Sequence, residues 1–280
     1  MKIDAHQHFW RYDGRQYPWI PKDSPLHRDW LPADWREEAS KAGMDRSIAV
    51  QARQTLEETR WLLQLADEAP TIAGVVGWID LCSEKAGDQL AEFSAHQKLV
   101  GVRHVVQDEP DDGFMLRPDF LRGIARLKEF SLTYDILIFP RQLPSAIELV
   151  RRFPGQPFVL DHMAKPCIKA GTLSPWQEQI RELAHAPNLF CKLSGMVTEA
   201  RWGTWQKADF RPYLDTVFDA FGEDRLLFGS DWPVCLLSAS YGQVLDLVVD
   251  YLKAFSETTR RKIMGENAAR SYGLTEVAGG

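Results

Sequence analysis

Two histidines, His6 and His8, stand two residues apart within the first ten residues of the chain. Side chains of an extended strand alternate between its faces, so both imidazoles would point the same way, roughly 7 Å apart along the strand. Met1, Ile3 and Ala5 would occupy the opposite face and anchor the segment as a buried strand. The two nitrogens could then converge on one point, as metal ligands or as hydrogen-bonding groups for a substrate.

Other polar side chains of catalytic type lie in or directly after apolar runs. They are Gln51, Arg103, His104, Asp161, His162, Lys192, Ser230 and Asp231. Such a set supports the addition of water to a carbonyl group. An aspartate, which we take to be Asp231, accepts a proton from water, while imidazoles, a guanidinium or a metal stabilise the oxyanion that develops.

Two of these residues are adjacent, and a third has two possible orientations. Neighbours in a strand alternate, so Arg103 and His104 cannot both face inward on an ideal strand. Lys192 is compatible with an outward position between a sheet and its helices. The chain has no G-x-S-x-G segment and no G-x-G-x-x-G segment after a strand, so the usual signals of a serine nucleophile and of a dinucleotide site are missing.

Short apolar, β-branched runs alternate with amphipathic or charged stretches, which is typical of repeated β-α units. The predicted strands span residues 2–8, 46–52, 73–79, 100–106, 132–138, 157–162, 189–193 and 225–230. Eight parallel strands can close into a barrel whose C-terminal strand ends share one face. We therefore expect an α/β protein with one (β/α)8 barrel domain over residues 1–280.

Residues 11–36 contain four prolines, too many for a regular helix or a central strand. This loop follows the strand that carries the histidines, so it is expected to form a wall of the active site; a plain surface excursion is the alternative. The small-residue tail at the C-terminus is expected to be loose.

The composition argues against several partners. A net charge of -6 and a pI near 5.7 do not suit a nucleic-acid or anionic-membrane surface. No secretory signal opens the chain and no apolar run approaches a membrane span, so we expect a cytoplasmic protein. An exposed helical face in residues 31–47 is compatible with a homodimer contact, although an ordinary barrel helix explains it equally well.

Four motifs in this order give the chain a resemblance to a known family. They are HQH at 6–8, VLDHMAKP at 159–166, FCKLSGM at 190–196 and LLFGSDWP at 226–233. The chain resembles the amidohydrolase superfamily, and within it the amidohydrolase-2 group with its L-fuconolactone and L-rhamnonolactone lactonases. The resemblance covers nearly the whole chain. It implies a distorted (β/α)8 barrel that hydrolyses the ring ester of a small-molecule sugar lactone.

The resemblance also implies roles for particular residues. His6 and His8 match the histidine pair of the first strand, and His162 matches the histidine of the DH-x-A-KP segment. Asp231 matches the aspartate that activates water. Arg103 or His104 would hold the lactone carbonyl or a sugar hydroxyl. Further substrate-binding candidates are Trp19, Gln51 and Trp232.

The sequence departs from the metal-rich members of the superfamily. Its fourth strand offers an arginine and its fifth strand offers no histidine, which argues against a binuclear centre. One divalent ion, zinc first of all, could bind to His6, His8 and Asp231. Hydrolysis without a metal is also compatible, because a lactone is an activated ester, and we expect the metal to be dispensable. Two alternatives stay open: a metal-dependent decarboxylase, and a barrel that binds sugar acids without turnover.

Overall fold

The computed structural model describes residues 1–274 of the chain. Eight parallel strands form one sheet in chain order, with helices between them, which confirms the predicted (β/α)8 barrel. The strands are β1 Ile3–Gln7, β2 Arg46–Val50, β3 Ile72–Gly77, β4 Leu99–His104, β5 Thr133–Ile136, β6 Phe158–Leu160, β7 Leu189–Leu193 and β8 Leu226–Phe228. The α-helices are α1 Pro32–Ala42, α2 Leu56–Glu68, α3 Ala86–Ser94, α4 Pro118–Leu127, α5 Leu143–Arg152, α6 Trp176–Leu183, α7 Lys207–Phe221, α8 Tyr241–Leu252, α9 Glu257–Arg261 and α10 Asn267–Ser271.

The barrel closes where the first strand meets the segment that follows the last one. The N–H of Asp231 donates to the carbonyl of His6 at 2.8 Å, and the N–H of His8 donates to the carbonyl of Trp232 at 2.7 Å. The buried carboxylate of Asp4 adds two bonds across the same seam, from the N–H of Ser230 at 2.8 Å and from its hydroxyl at 2.6 Å. The seam therefore joins the two segments that carry the first and last predicted site residues.

The chain after β8 covers the other end of the barrel. Apolar residues from several strands, among them Ile3, Val159 and Leu227, pack with Ala268 and Tyr272 in one buried cluster. A much larger buried cluster contains apolar residues from strands and helices alike. Among residues 1–274, no helix combines the length and the apolar character that a membrane crossing requires.

The loop after β1 is shorter than the sequence suggested. Its last residues form the start of α1 at Pro32, because proline suits the first helical position, where no N–H bond within the helix is needed. Trp10 and Trp30 exchange backbone hydrogen bonds of 3.0 and 2.9 Å and so close the loop at its base. Inside it, Tyr17 and Leu26 pack with Trp10 in a small apolar cluster. The predicted loose tail, residues 275–280, lies outside the described residues.

Candidate active site

A cavity of about 580 Å³ opens at the C-terminal ends of the strands, among the loops that follow them. This is the face on which (β/α)8 barrels carry their active sites. Charged, amide and apolar side chains line it. They are His8, Gln16, Trp19, Ala52, Arg53, Gln54, Thr55, Arg103, Val105, Gln107, Asp108, Leu137, His162, Lys165, Asp231 and Val234.

Asp231 faces the Nε2 atoms of three buried histidines. Its Oδ1 lies 3.4 Å from Nε2 of His8, 3.8 Å from Nε2 of His6 and 3.9 Å from Nε2 of His162. The Nε2 atoms of His6 and His8 are themselves 3.2 Å apart. The predicted meeting of the first-strand histidine pair with the aspartate after the eighth strand is thus present in the structure.

The surroundings determine the charges of these groups. Burial alone would raise the pKa of Asp231, but His162, His8 and His6 outweigh it and hold that pKa well below its ordinary value. Burial lowers the pKa of His162 to about 4, against the pull of the Asp231 and Asp161 carboxylates. Burial likewise lowers the pKa of His6. At neutral pH, therefore, Asp231 is a carboxylate, and His6 and His162 are uncharged.

A buried ion-pair network lies next to His6. Arg103 Nη1 donates to Asp161 Oδ2 at 2.9 Å, and Lys192 Nζ lies 2.8 Å from Asp161 Oδ1 and 2.6 Å from Asp135 Oδ2. Burial alone would raise the pKa of Asp161, but Lys192, His6 and Arg103 hold it well below its ordinary value. Two cations and two carboxylates balance one another, which makes their complete burial tolerable.

Local backbone conformation aims His162 into the cavity. The four residues from His162 to Lys165 have φ angles of 54°, 53°, 58° and 49°, in the left-handed region that L-residues seldom adopt. The indole of Trp176 donates to the carbonyl of Met163 at 2.8 Å, inside this segment. The hydroxyl of Ser194 lies 2.8 Å from Nδ1 of His162. Gly195 permits the approach, since a Cβ at that position would lie 2.5 Å from the same nitrogen.

Arg103 and His104 point in opposite directions, as strand alternation requires. Arg103 lines the cavity. His104 binds Glu109 at 2.7 Å and stacks on Phe114 with ring centroids 4.7 Å apart, so it is not among the residues that the structure brings to the cavity. We therefore assign no catalytic role to His104.

The three substrate-binding candidates occupy different environments. Trp19 lines the cavity and is 43% exposed, so its ring is open to a ligand. Trp232 is fully buried against Phe9 and Trp30, because Asp231 has a left-handed φ of 57° and the chain reverses there. Gln51 is also fully buried, and its amide donates to the carbonyl of Arg103 at 3.3 Å. Trp232 and Gln51 thus serve as supports around the site, and of the three only Trp19 lines the cavity.

Several residues that surround the site were not assigned from the sequence. Strand alternation places Lys192 on the face of its strand opposite to the apolar Cys191 and Leu193, so the sequence alone could have singled it out. Its side chain points to the inner face, where Nζ reaches His6, and not outward. Arg53 and Lys165 line the cavity from loops, where no periodicity indicates direction. Asp161 was noted only as a polar strand end, and its pairing with Lys192 could not be read from one sequence.

The atoms around Asp231 fit a single metal ion. Nε2 of His6, Nε2 of His8 and Oδ1 of Asp231 all lie within 4.8 Å of one another, with separations of 3.2, 3.4 and 3.8 Å. Ligand atoms of a tetrahedral zinc site with bonds of about 2.1 Å lie about 3.4 Å apart. His6, Asp161 and His162 form a second such group, but Asp161 is already paired with two cations. The first group is the better match.

Comparisons with known proteins show the family to which the chain belongs. The family model described as Amidohydrolase matches residues 3–274. A curated L-fucono-1,5-lactonase of Burkholderia multivorans is 43% identical, over 99% of this chain and 98% of that protein. An L-fucono-1,5-lactonase of Burkholderia ambifaria is 36% identical, over 100% of this chain and 98% of that protein. The crystal structure of an amidohydrolase from Burkholderia multivorans with bound zinc has a TM-score of 0.94 and 43% identity, over 98% of this chain and 100% of that chain.

Proposed function

Because the chain belongs to the amidohydrolase family, we propose that it is a sugar lactonase whose substrate is L-fucono-1,5-lactone and whose water is activated by Asp231. Hydrolysis of a sugar-lactone ring is the activity that the curated relatives share. The observation that carries the residue assignment is the carboxylate of Asp231 among three histidine nitrogens in a cavity large enough for a small sugar ring.

Asp231 carries the proton through the reaction. Its carboxylate accepts a proton from a water molecule, whose oxygen bonds to the lactone carbonyl carbon and produces a tetrahedral oxyanion. When the oxyanion collapses, the bond between the carbonyl carbon and the ring oxygen breaks. The ring oxygen leaves as an alkoxide and takes the proton from Asp231, which returns the carboxylate to its starting state. The product is the open-chain sugar acid.

Arg103 and His162 stabilise the charge that develops on the carbonyl oxygen. The guanidinium of Arg103 is held on two sides, by Asp161 and by the carbonyl of Gln51, to which its Nη2 donates at 2.5 Å. It therefore needs no reorganisation when the oxyanion forms. Nδ1 of His162 faces the Ser194 hydroxyl, which leaves Nε2 for the cavity side of the ring. Trp19 provides an apolar face for the sugar ring.

His6, His8 and Asp231 are the residues that would hold a divalent ion, zinc first of all. Such an ion would supply Lewis acidity and lower the pKa of a water molecule bound to it. We propose that this contribution is dispensable, because the lactone is already an activated ester and Asp231 remains ionised at neutral pH.

A pH-indicator assay tests the proposed substrate. The purified protein is incubated with L-fucono-, L-rhamnono-, L-galactono- and D-arabinono-lactones, with and without exhaustive chelation of divalent metal ions. We expect the fastest acid release from L-fucono-1,5-lactone and less than a twofold change on chelation. Activity that disappears with the metal would overturn the second expectation. If no lactone of the panel releases acid, the substrate proposal is overturned, and a carbon dioxide assay then tests the decarboxylase alternative.

A further inference from the structure

Three cations line the active-site cavity, and two of them are already engaged by hydrogen bonds. Nη1 of Arg103 donates to Oδ2 of Asp161 at 2.9 Å, and Nη1 of Arg53 donates to the amide oxygen of Gln16. Lys165 is the third cation, and its ammonium makes no hydrogen bond to any part of the chain that the structure describes. Its N–H donors can therefore bind a ligand that brings acceptors into the cavity.

The ammonium of Lys165 lies in a largely enclosed position, where 17% of the side chain is exposed. Among the described residues, the single carboxylate oxygen within 4.0 Å is Oε1 of Glu199, at 3.9 Å, which is too long for a hydrogen bond. The ring centroid of Phe139 is 5.4 Å from the ammonium, which gives an electrostatic contact with the face of the ring. Glu199 and Phe139 thus offset the charge of Lys165 but leave its three N–H donors for a ligand.

The backbone fixes Lys165 next to the proposed reaction centre. Lys165 is the last of the four left-handed residues that begin at His162, and its N–H donates to the carbonyl of His162 at 2.8 Å. Residues in such sparsely populated conformations persist only where the surrounding structure holds them. The carbonyl of Glu199 accepts the N–H of Lys169 at 2.9 Å, which joins the loop after β7 to the loop after β6. One backbone segment therefore brings His162 and Lys165 to the same cavity.

We propose that Lys165 is a substrate-binding residue that donates hydrogen bonds to the ring hydroxyl groups of the sugar lactone, and so selects hydroxylated lactones over lactones that lack these groups. The inference rests on the proposed function, which places the lactone carbonyl at Asp231, Arg103 and His162. Outside its ring ester, a neutral sugar lactone carries hydroxyl oxygens, and these can accept from an ammonium. A lactone without hydroxyl groups would cover the ammonium and leave its donors unpaired, which is the arrangement that a polar site rejects.

Steady-state kinetics of Lys165→Met test the role in binding, because methionine keeps most of the apolar stem and removes the donors. A bond to hydroxyl groups that do not react is present in the ground state and the transition state alike. We therefore expect KM for L-fucono-1,5-lactone to rise about tenfold or more, with kcat within about threefold of wild type. An unchanged KM, or a loss confined to kcat, would overturn the proposal. A wild-type enzyme that hydrolyses no lactone would instead overturn the proposed function.

δ-Valerolactone tests whether the partner of Lys165 is a hydroxyl group, because it has the ring of a 1,5-lactone without any hydroxyl group. Its affinity is measured as an inhibition constant against hydrolysis of L-fucono-1,5-lactone, whether or not it is itself hydrolysed. We expect this constant to differ by less than about twofold between wild type and Lys165→Met. A loss of affinity equal to the rise in KM would place Lys165 on the ring ester and overturn the assignment to hydroxyl groups.

Lys169→Met is the matched control, because Lys169 is an exposed lysine of the same loop that lies outside the lining of the active-site cavity. It should keep the KM of wild type, and an equal rise in the control would count against Lys165 as the cause. If Lys165→Met does not fold, the double variant Lys165→Met, Glu199→Gln removes both charges of the pair and leaves no unpaired carboxylate. We expect the same rise in KM for the double variant, and an unchanged KM would again overturn the proposal.

Discussion

Asp231 combines a buried position with a retained negative charge. A buried carboxylate ordinarily binds its proton more tightly, but the histidine rings around this one hold its pKa low. Asp231 therefore stays ionised throughout the neutral pH range, which is the state that a general base requires. Its backbone N–H donates a hydrogen bond to the carbonyl of His6, so closure of the barrel fixes the backbone position from which the carboxylate side chain extends.

Replacement of Asp231 by Asn should abolish most lactone hydrolysis without unfolding the protein. An amide of the same shape cannot accept the proton of water, so we expect kcat to fall about 10²- to 10⁴-fold, with a Tm close to that of wild type. Steady-state kinetics and thermal melts provide the measurement. Asp67→Asn is the control, since Asp67 is also 3.1 Å from a histidine ring, that of His96, but at the surface. An active Asp231→Asn enzyme would remove this residue as the base.

At the level of single residues, the sequence predicted positions that depend on strand alternation and missed those that depend on a partner elsewhere in the chain. His6, His8 and Asp231 meet because parallel strands end on the same face of the barrel. Gln51 and Trp232 also follow strands, but the side chain of Gln51 is directed to the Arg103 carbonyl, and Trp232 comes after a left-handed residue. Such local reversals have no signature in the residue types alone.

Among the elements, the N-terminus of α2 supports the loop that forms one cavity wall. Glu58, in the first turn of α2, accepts the backbone N–H groups of Ala52 at 3.0 Å and Arg53 at 2.6 Å, and the hydroxyl of Tyr17 at 3.3 Å. Gln16, next to Tyr17, and Arg53 both line the cavity. One buried carboxyl thus fixes the loop after β1 to the loop after β2. The sequence predicted the wall but not this support.

Glu58 should make the stability of the protein depend on pH. Burial raises its pKa from 4.5 to about 7. Since the folded state holds the proton more tightly than the unfolded state, this stabilisation is complete below about pH 4.5 and is lost as the pH rises through 7. The glutamine of a Glu58→Gln variant cannot ionise. As the pH rises across this range, we expect the free energy of unfolding of wild type to fall by up to about 3 kcal/mol relative to that of the variant. Urea titrations at pH 5, 6, 7 and 8 measure it; parallel curves would contradict the expectation.

For the molecule as a whole, the alternation of apolar and amphipathic segments was enough to predict the barrel, because each β-α unit has its own periodicity. The predicted ends of the strands were less accurate. The sixth and eighth strands are β6 Phe158–Leu160 and β8 Leu226–Phe228, shorter than residues 157–162 and 225–230. The chain turns into left-handed conformations at His162 and Asp231 soon after each strand. These turns place two of the candidate site residues, and the residue types alone do not reveal such turns.

Tyr272, just after α10, should contribute measurably to global stability. Its hydroxyl donates to both oxygens of the buried Asp135 carboxylate, at 2.9 and 2.7 Å. Tyr272→Phe leaves that carboxylate without the donor, and we expect a loss of about 1–3 kcal/mol in urea unfolding. In the control, Tyr251→Phe, the lost bond is to the half-exposed Asp215, and water can replace it, so the loss should be under about 1 kcal/mol. Equal losses would show that Asp135 does not depend on Tyr272.

The seam between β1 and the segment after β8 has a consequence for biosynthesis. Residues 6 and 8 leave the ribosome before Asp231, which follows more than two hundred residues later and whose backbone N–H is bonded to the carbonyl of His6. A chain whose synthesis has not reached residue 231 lacks part of the proposed reaction centre. The two histidines have no aspartate beside them until residue 231 has been synthesised, so the proposed reaction centre is completed together with closure of the barrel.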